Sequence, residues 1–359
     1  MPATAAPLLA AAALLHGLRP GAGELSAVPR HAEHADAGPM GPLRGEYGFL
    51  HRFSGISQEQ ARDKVRLMQG NFGIMEFQFY NAFAGYSHPP APNETRWYTK
   101  FAHIEVDRDI LKAYIDEIKF FGGRAWLTVQ AMGTDVGDKE SQKDFKVWGS
   151  YDADGEPLVD VVAPTAEWAR HWAPRWIDFA KRIGFSGIHW NTLGNFEGRI
   201  GENSDIAGFL RETKRMVDDA GLGQTFNFVD GYGFDESLAP DRERVVAFVY
   251  WPAWSRPAME DEFNQRAPSG SVFLCFPGKD EDHQGEWWQE DVKGRQPFDL
   301  MIERWQRARC HGNAFLGVGD GTSYITTDYY PDAEQMTDEQ VREVIDKVFR
   351  APPCSIEPA

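Results

Sequence analysis

The chain has 359 residues, 42% of them hydrophobic and 25% charged, enough to bury one large α/β core or two smaller ones. Its formal net charge is −17, and no basic stretch interleaves with aromatics, so nucleic acid is excluded as an expected partner, while an uncharged polymer such as a glucan is not. Three cysteines, Cys275, Cys310 and Cys354, lie too far apart in sequence for a disulfide framework or a metal motif, and neither a metal nor an organic cofactor is expected.

Residues 7–18 form an Ala/Leu-rich run followed by Gly21-Ala22-Gly23. This pattern resembles a secretory signal peptide over residues 1–23, although no Lys or Arg precedes the run. Secretion is therefore the expected localisation. The run is too short for a comfortable membrane span, and no membrane-spanning segment is expected. In a secreted chain, Asn93-Glu94-Thr95 would be a glycosylation sequon. Residues 24–45, rich in Ala, Gly, Pro and His without periodicity, are expected to be a linker.

From Glu46 onward apolar runs alternate with amphipathic stretches. The expected strands are Tyr47–Phe53, Ile74–Tyr80, Ala125–Gln130, Gly187–Trp190, Thr225–Val229, Val246–Tyr250, Ser271–Phe276 and Ala314–Val318. Helical patterns fall between them. Ser57–Gln69 opens with Ser57 and Gln60 in capping-box spacing, and Thr337–Arg350 repeats that device with Thr337 and Gln340. Asp107–Phe121 places Ile110, Leu111, Tyr114, Ile115 and Ile118 on one helical face. Thr165–Ile183, Asp205–Ala220 and Pro297–Cys310 complete the set. Strand–helix alternation repeated in this way predicts an α/β fold, a single-domain (β/α)8 TIM barrel over residues 46–350 with a C-terminal tail at 351–359. An open doubly wound sheet is the alternative, but it would usually bring a Gly-rich phosphate loop after an early strand, and the sequence has none.

In such a barrel the site lies at the C-terminal strand ends and in the loops that follow them. Residues 81–106 and 131–163 are long loop candidates. With residues 251–270 and 277–296 they carry Phe83, Tyr86, Trp97, Tyr98, Trp251, Trp254, Trp287 and Trp288, a composition suited to stacking on sugar rings or to packing within the loops themselves. The fourth strand, Phe185-Ser-Gly-Ile-His-Trp190, runs straight into polar Asn191 and then Gly194.

These segments together resemble glycoside hydrolase family 66, the dextranases and cycloisomaltooligosaccharide glucanotransferases. The resemblance runs from about Tyr47 to Arg350. Gly48-Phe49-Leu50 resembles the family's opening strand, and Phe77-Gln78-Phe79-Tyr80-Asn81 its Gln-Phe-Tyr-Asp segment. Gly187–Gly194 resembles the strand bearing the nucleophilic Asp. Phe226-Asn227 with Tyr232-Gly233 resembles the next strand and loop, and Phe248–Trp254 falls where the acid/base Glu is expected. Gly319-Asp320-Gly321 with Tyr329-Tyr330-Pro331 resembles the last loop. The resemblance implies a cleft for an oligo- or polysaccharide, an α-glucan or related glycan, contacted by Tyr80, Asn81, His189, Asn227, Tyr232, Tyr250, Trp251, Trp254 and Asp320. The family's barrel is usually flanked by β-sandwich domains, and a barrel over residues 46–350 without them is the expectation here.

The departures fall on the chemistry. The nucleophile position is Asn191, the acid/base position aligns with Pro252, and the Asp of the second strand is Asn81. Retaining hydrolysis needs two carboxyl groups about 5–5.5 Å apart, one of them nucleophilic. An amide is a very weak nucleophile and proline carries no titratable proton, yet an asparagine can still hydrogen-bond sugar hydroxyls. Two functions follow from these residues: a glycan-binding pseudoenzyme, or an active glycosidase or transglycosidase with relocated carboxylates. Asp230 and Asp235 are the leading replacements, ahead of Glu76, Glu197, Glu202, Asp205, Glu236 and Asp320. His189, two residues before Asn191, shares its side of the strand and is either a functional group or a hydrogen-bonded barrel residue.

Overall fold

Alternation of side chains across the strands and helical spacing between them are both realised. The structure, a computed structural model, describes residues 47–49, 53–72, 74–79, 82, 88–99, 105–133, 139–152, 154–194, 203–229, 246–248, 272–274, 302, 306, 316–319 and 337–349. Strands β1 (Tyr47–Phe49) and β2 (Glu76–Phe79) are followed by a short hairpin of β3 (Arg96–Tyr98) and β4 (Glu105–Asp107). Next come β5 (Arg124–Gln130), a second hairpin of β6 (Gly149–Tyr151) and β7 (Pro157–Val162), then β8 (Gly187–Gly194) and β9 (Gly223–Val229). The last strands are β10 (Val246–Phe248), β11 (Val272–Leu274) and β12 (Leu316–Gly319). Each of the eight strands expected from the sequence has an observed counterpart, and the two hairpins are additions.

Six strands form one parallel sheet in the order β12-β1-β2-β5-β8-β9, and β10 pairs in parallel with β11. Apart from the hairpins, neighbours in the large sheet follow chain order, with the last strand beside the first. The order reversal of a doubly wound sheet is absent from it.

Helix α1 (Gln58–Phe72) starts at the expected capping box: the Ser57 amide donates to Gln60 Oε1 at 2.8 Å, and the Gln60 amide donates to Ser57 Oγ at 3.1 Å. Helix α2 (Arg108–Phe120) is capped by Asp107, whose carboxylate accepts the Asp109 and Ile110 amides. The region between β5 and β7 holds a further helix, α3 (Lys139–Trp148). Helix α4 (Ala166–Ile183) is capped by Thr165, and α5 (Ile206–Asp219) by Asp205, whose carboxylate accepts the Gly208 amide at 2.9 Å. Near the C-terminus, α6 (Asp338–Val344) begins at a second capping box, with Thr337 and Gln340 reciprocally bonded at 2.9 and 3.2 Å, and passes into a π turn at Ile345–Phe349. Of the helix expected over 297–310, only Ile302 and Gln306 are described, both helical.

The helix-facing side of the sheet is aromatic. Phe77 and Phe79 of β2 are fully buried, and Phe79 meets Phe53, Tyr114 and Phe185. Trp168, Trp172 and Trp176 recur every fourth residue on α4 and make a continuous stripe. Trp190 of β8 packs between Trp172 and Phe209, with centroids 5.5 and 6.2 Å away. Most of the described tryptophan content is thus spent on packing helices to the sheet. Trp97 belongs to this core too. It is 6% exposed, donates from Nε1 to the Ala82 carbonyl at 3.2 Å and packs edge-on against Phe179, which removes it as a sugar-stacking platform.

Candidate functional site

The opposite side of the strands carries the polar residues, and register fixes which ones meet. Glu76 pairs with Arg124, and Gln78 pairs with Trp126, which in turn pairs with Gly187. The next row is Thr128–His189–Thr225, and above it Gln130 pairs with Asn191. At the lowest level Glu76, fully buried, accepts Arg124 Nε at 2.8 Å and Trp126 Nε1 at 2.6 Å. The Arg124 guanidinium closes the pair through a second nitrogen and lies 5.6 Å from the Trp126 ring centroid. Trp126 then packs against Gly187: a Cβ there would come within 2.5 Å of both the Trp126 ring and the Gly223 carbonyl. By register Trp126 lies one row below Thr128 and marks the floor of the upper polar rows.

Above that floor the groups are neutral. His189 Nδ1 lies 2.8 Å from Thr225 Oγ1. Asn191 Nδ2 donates to Gln130 Oε1 at 3.2 Å. His189 is fully buried, and burial pulls its pKa down to about 3 against a smaller opposing effect of the Asn191 side chain. It is therefore an uncharged imidazole at neutral pH. Asn191, 2% exposed, sits in β8 rather than beyond it, because the strand extends to Gly194. The pairing of β8 with β9 shifts register between Trp190 and Leu193. A bulge at this point re-aims the strand end, a common feature beside binding sites.

The expected residues divide clearly. His189 and Asn191 are brought together on one face of β8, the first bonded to Thr225 and the second to Gln130. Asn227 lies in β9, two positions after Thr225. Tyr80, Asn81, Asp230, Tyr232, Asp235, Tyr250, Trp251, Pro252, Trp254 and Asp320 lie outside the described residues. Two of the weaker carboxylate candidates are reassigned. Asp205 is the cap of α5. Glu76 is the buried partner of Arg124, and since a strand rises about 3.3 Å per residue, Gln130 and its partner Asn191 stand about 20 Å up the sheet from that pair. Gln78, Thr128, Gln130 and Thr225 were not singled out in the sequence. Their signal was period-two alternation, polar Thr128 and Gln130 against apolar Leu127 and Val129. Among the described residues no group of three or more His, Cys, Asp or Glu side chains could hold a metal ion.

No protein-family model and no curated relative matches the chain. Solved structures match it by fold. A Paenibacillus cycloisomaltooligosaccharide glucanotransferase complexed with cycloisomaltoheptaose aligns with TM-score 0.53 and 16% identity, over 65% of this chain and 38% of that one. The fold is one that glycoside hydrolases use. A family GH36 α-galactosidase from Geobacillus stearothermophilus aligns with TM-score 0.53 and 10% identity over 85% of this chain and 41% of that one. A maltogenic α-amylase from Thermotoga neapolitana aligns with TM-score 0.52 and 10% identity over 85% of this chain and 77% of that one. The chain thus spans about two fifths of the length of the first two. Among the described residues, no helix is long and apolar enough to cross a membrane.

Proposed function

We propose that the chain is a secreted glycan-recognising protein of glycoside hydrolase descent, related to family 66, whose sheet closes into a (β/α)8 barrel. The parallel order with β12 beside β1, and a parallel β10–β11 pair that falls between β9 and β12 in the chain, support that reading. The mouth at the C-terminal ends of β5, β8 and β9 takes an α-glucan or related neutral oligosaccharide, and the chain binds it without retaining hydrolysis.

The observation that carries this reading is Asn191: a buried amide at the nucleophile position, bonded to Gln130 and two positions from an uncharged His189 on the same face of β8. The described rows at that level hold amides, hydroxyls and an imidazole. All of these both donate and accept, which suits sugar hydroxyls and cannot form a glycosyl ester. Pro252 at the aligned acid/base position supports the same reading.

The test is isothermal titration with isomaltooligosaccharides of increasing length, beside a β-glucan control. Saturable binding that Asn191→Ala weakens at least tenfold is expected. No heat with any α-glucan, or binding unaffected by Asn191→Ala, overturns the reading.

A further inference from the structure

We propose that the interior face of the sheet encloses a water-binding site between the Gln78 side-chain amide and the Thr128 hydroxyl, below the level of Asn191. Gln78 is 0% and Thr128 1% exposed. Both polar atoms of the Gln78 amide, and the Thr128 oxygen, are buried without a hydrogen-bond partner. They stand on adjacent strands and on the same face: Gln78 is in register with Trp126, and Thr128 follows Trp126 by two positions. Leaving three such groups dry is costly, because each has given up water and received nothing in return.

The neighbouring groups are already engaged. Glu76 is held by Arg124 and the Trp126 indole, Thr225 by His189, and Asn191 by Gln130. The occupant must offer both a donor and an acceptor, since the Gln78 amide needs one of each. It must also be uncharged, since Glu76, two residues before Gln78 on the same strand, is already paired with Arg124. Water meets both conditions, and three polar partners are within the usual number for a buried water.

The test is a crystal structure of the unmodified protein at a resolution that orders internal water, with Gln78→Leu and Thr128→Val alongside. Expected is a water about 2.7–3.2 Å from both the Gln78 amide and the Thr128 hydroxyl, absent in Gln78→Leu. The denaturation midpoint should also fall less in the double variant than the two single shifts combined, because either change alone strands the remaining group. Should Gln78→Leu fail to fold, Thr128→Val decides: the water should be lost or move toward Gln78 alone. A Gln78 amide bonded directly to protein atoms, a dry void around both groups, or a water unmoved by Thr128→Val overturns the proposal.

Discussion

The two faces of β8 have the same backbone and opposite purposes. Ile188 and Trp190 point to the helices, where Trp190 is wedged against Trp172 and Phe209. His189 and Asn191, interleaved with them, point to the interior, where they are equally buried but bonded to Thr225 and Gln130. Burial alone therefore does not separate stability from function in this sheet. The distinction is chemical: one face gains from removing apolar surface from water, while the other spends conformational freedom and desolvation to keep polar groups in place. Natural cores rarely do the second without a reason in recognition or specificity.

Breaking the helix-facing side should have the largest effect. Trp172→Ala removes the ring that joins Trp168, Trp176 and Trp190, and an indole-to-methyl change in a filled core costs about 3–5 kcal/mol. Urea denaturation should show the midpoint falling with little change in slope. A loss below about 1 kcal/mol would mean that the stripe is not packed as described.

On the interior side, Asn191→Asp should cost less, about 1–3 kcal/mol at neutral pH. The carboxylate cannot donate to Gln130 and brings a charge into a site that is 2% exposed. It should also raise the His189 pKa, visible as a shift in the imidazole resonance titration, and restore no hydrolysis while Pro252 is in place. A stabilised variant would show that the network does not depend on the amide.

The pH dependence of stability sharpens the comparison further. His189 is neutral when folded, with a pKa of about 3 against 6.5 for an unperturbed histidine. Below about pH 6 the unfolded chain binds this proton and the folded chain does not, so stability falls as pH falls, by about 1.4 kcal/mol per pH unit from this residue. His189→Gln should flatten the profile between about pH 4 and 6 relative to the unmodified protein. Identical profiles would mean that the imidazole protonates without unfolding. The smallest effect belongs to the helix ends: Ser57→Ala should cost about 1 kcal/mol in thermal or chemical denaturation, with Gln60→Ala adding little because both changes dismantle one capping box.

Much of this was legible in the chain. The strands were found because their alternation and apolar runs are local signals, and the two capping boxes because their chemistry is local as well. The hairpins β3–β4 and β6–β7 escaped because strands of three to six residues inside long connections carry too few positions to establish a period. Trp97 was misjudged for a related reason: composition reports that an aromatic is in a loop, not that its loop folds back to bury it. Asn191 was identified from resemblance, but its setting was not. The bulge after Trp190 depends on register with a strand about 35 residues away and the partnership with Gln130 on one 61 residues away, and a single sequence does not encode register locally.

The proposed function is glycan recognition without retaining hydrolysis. The most direct measurement is reducing-end release from dextran and a panel of other glucans by the unmodified protein, with Asn191→Ala and Asp230→Asn run in parallel. The account predicts no release above the uncatalysed background from any of the three. Robust turnover by the unmodified protein that Asp230→Asn abolishes would contradict it and move the chemistry to the segment after β9.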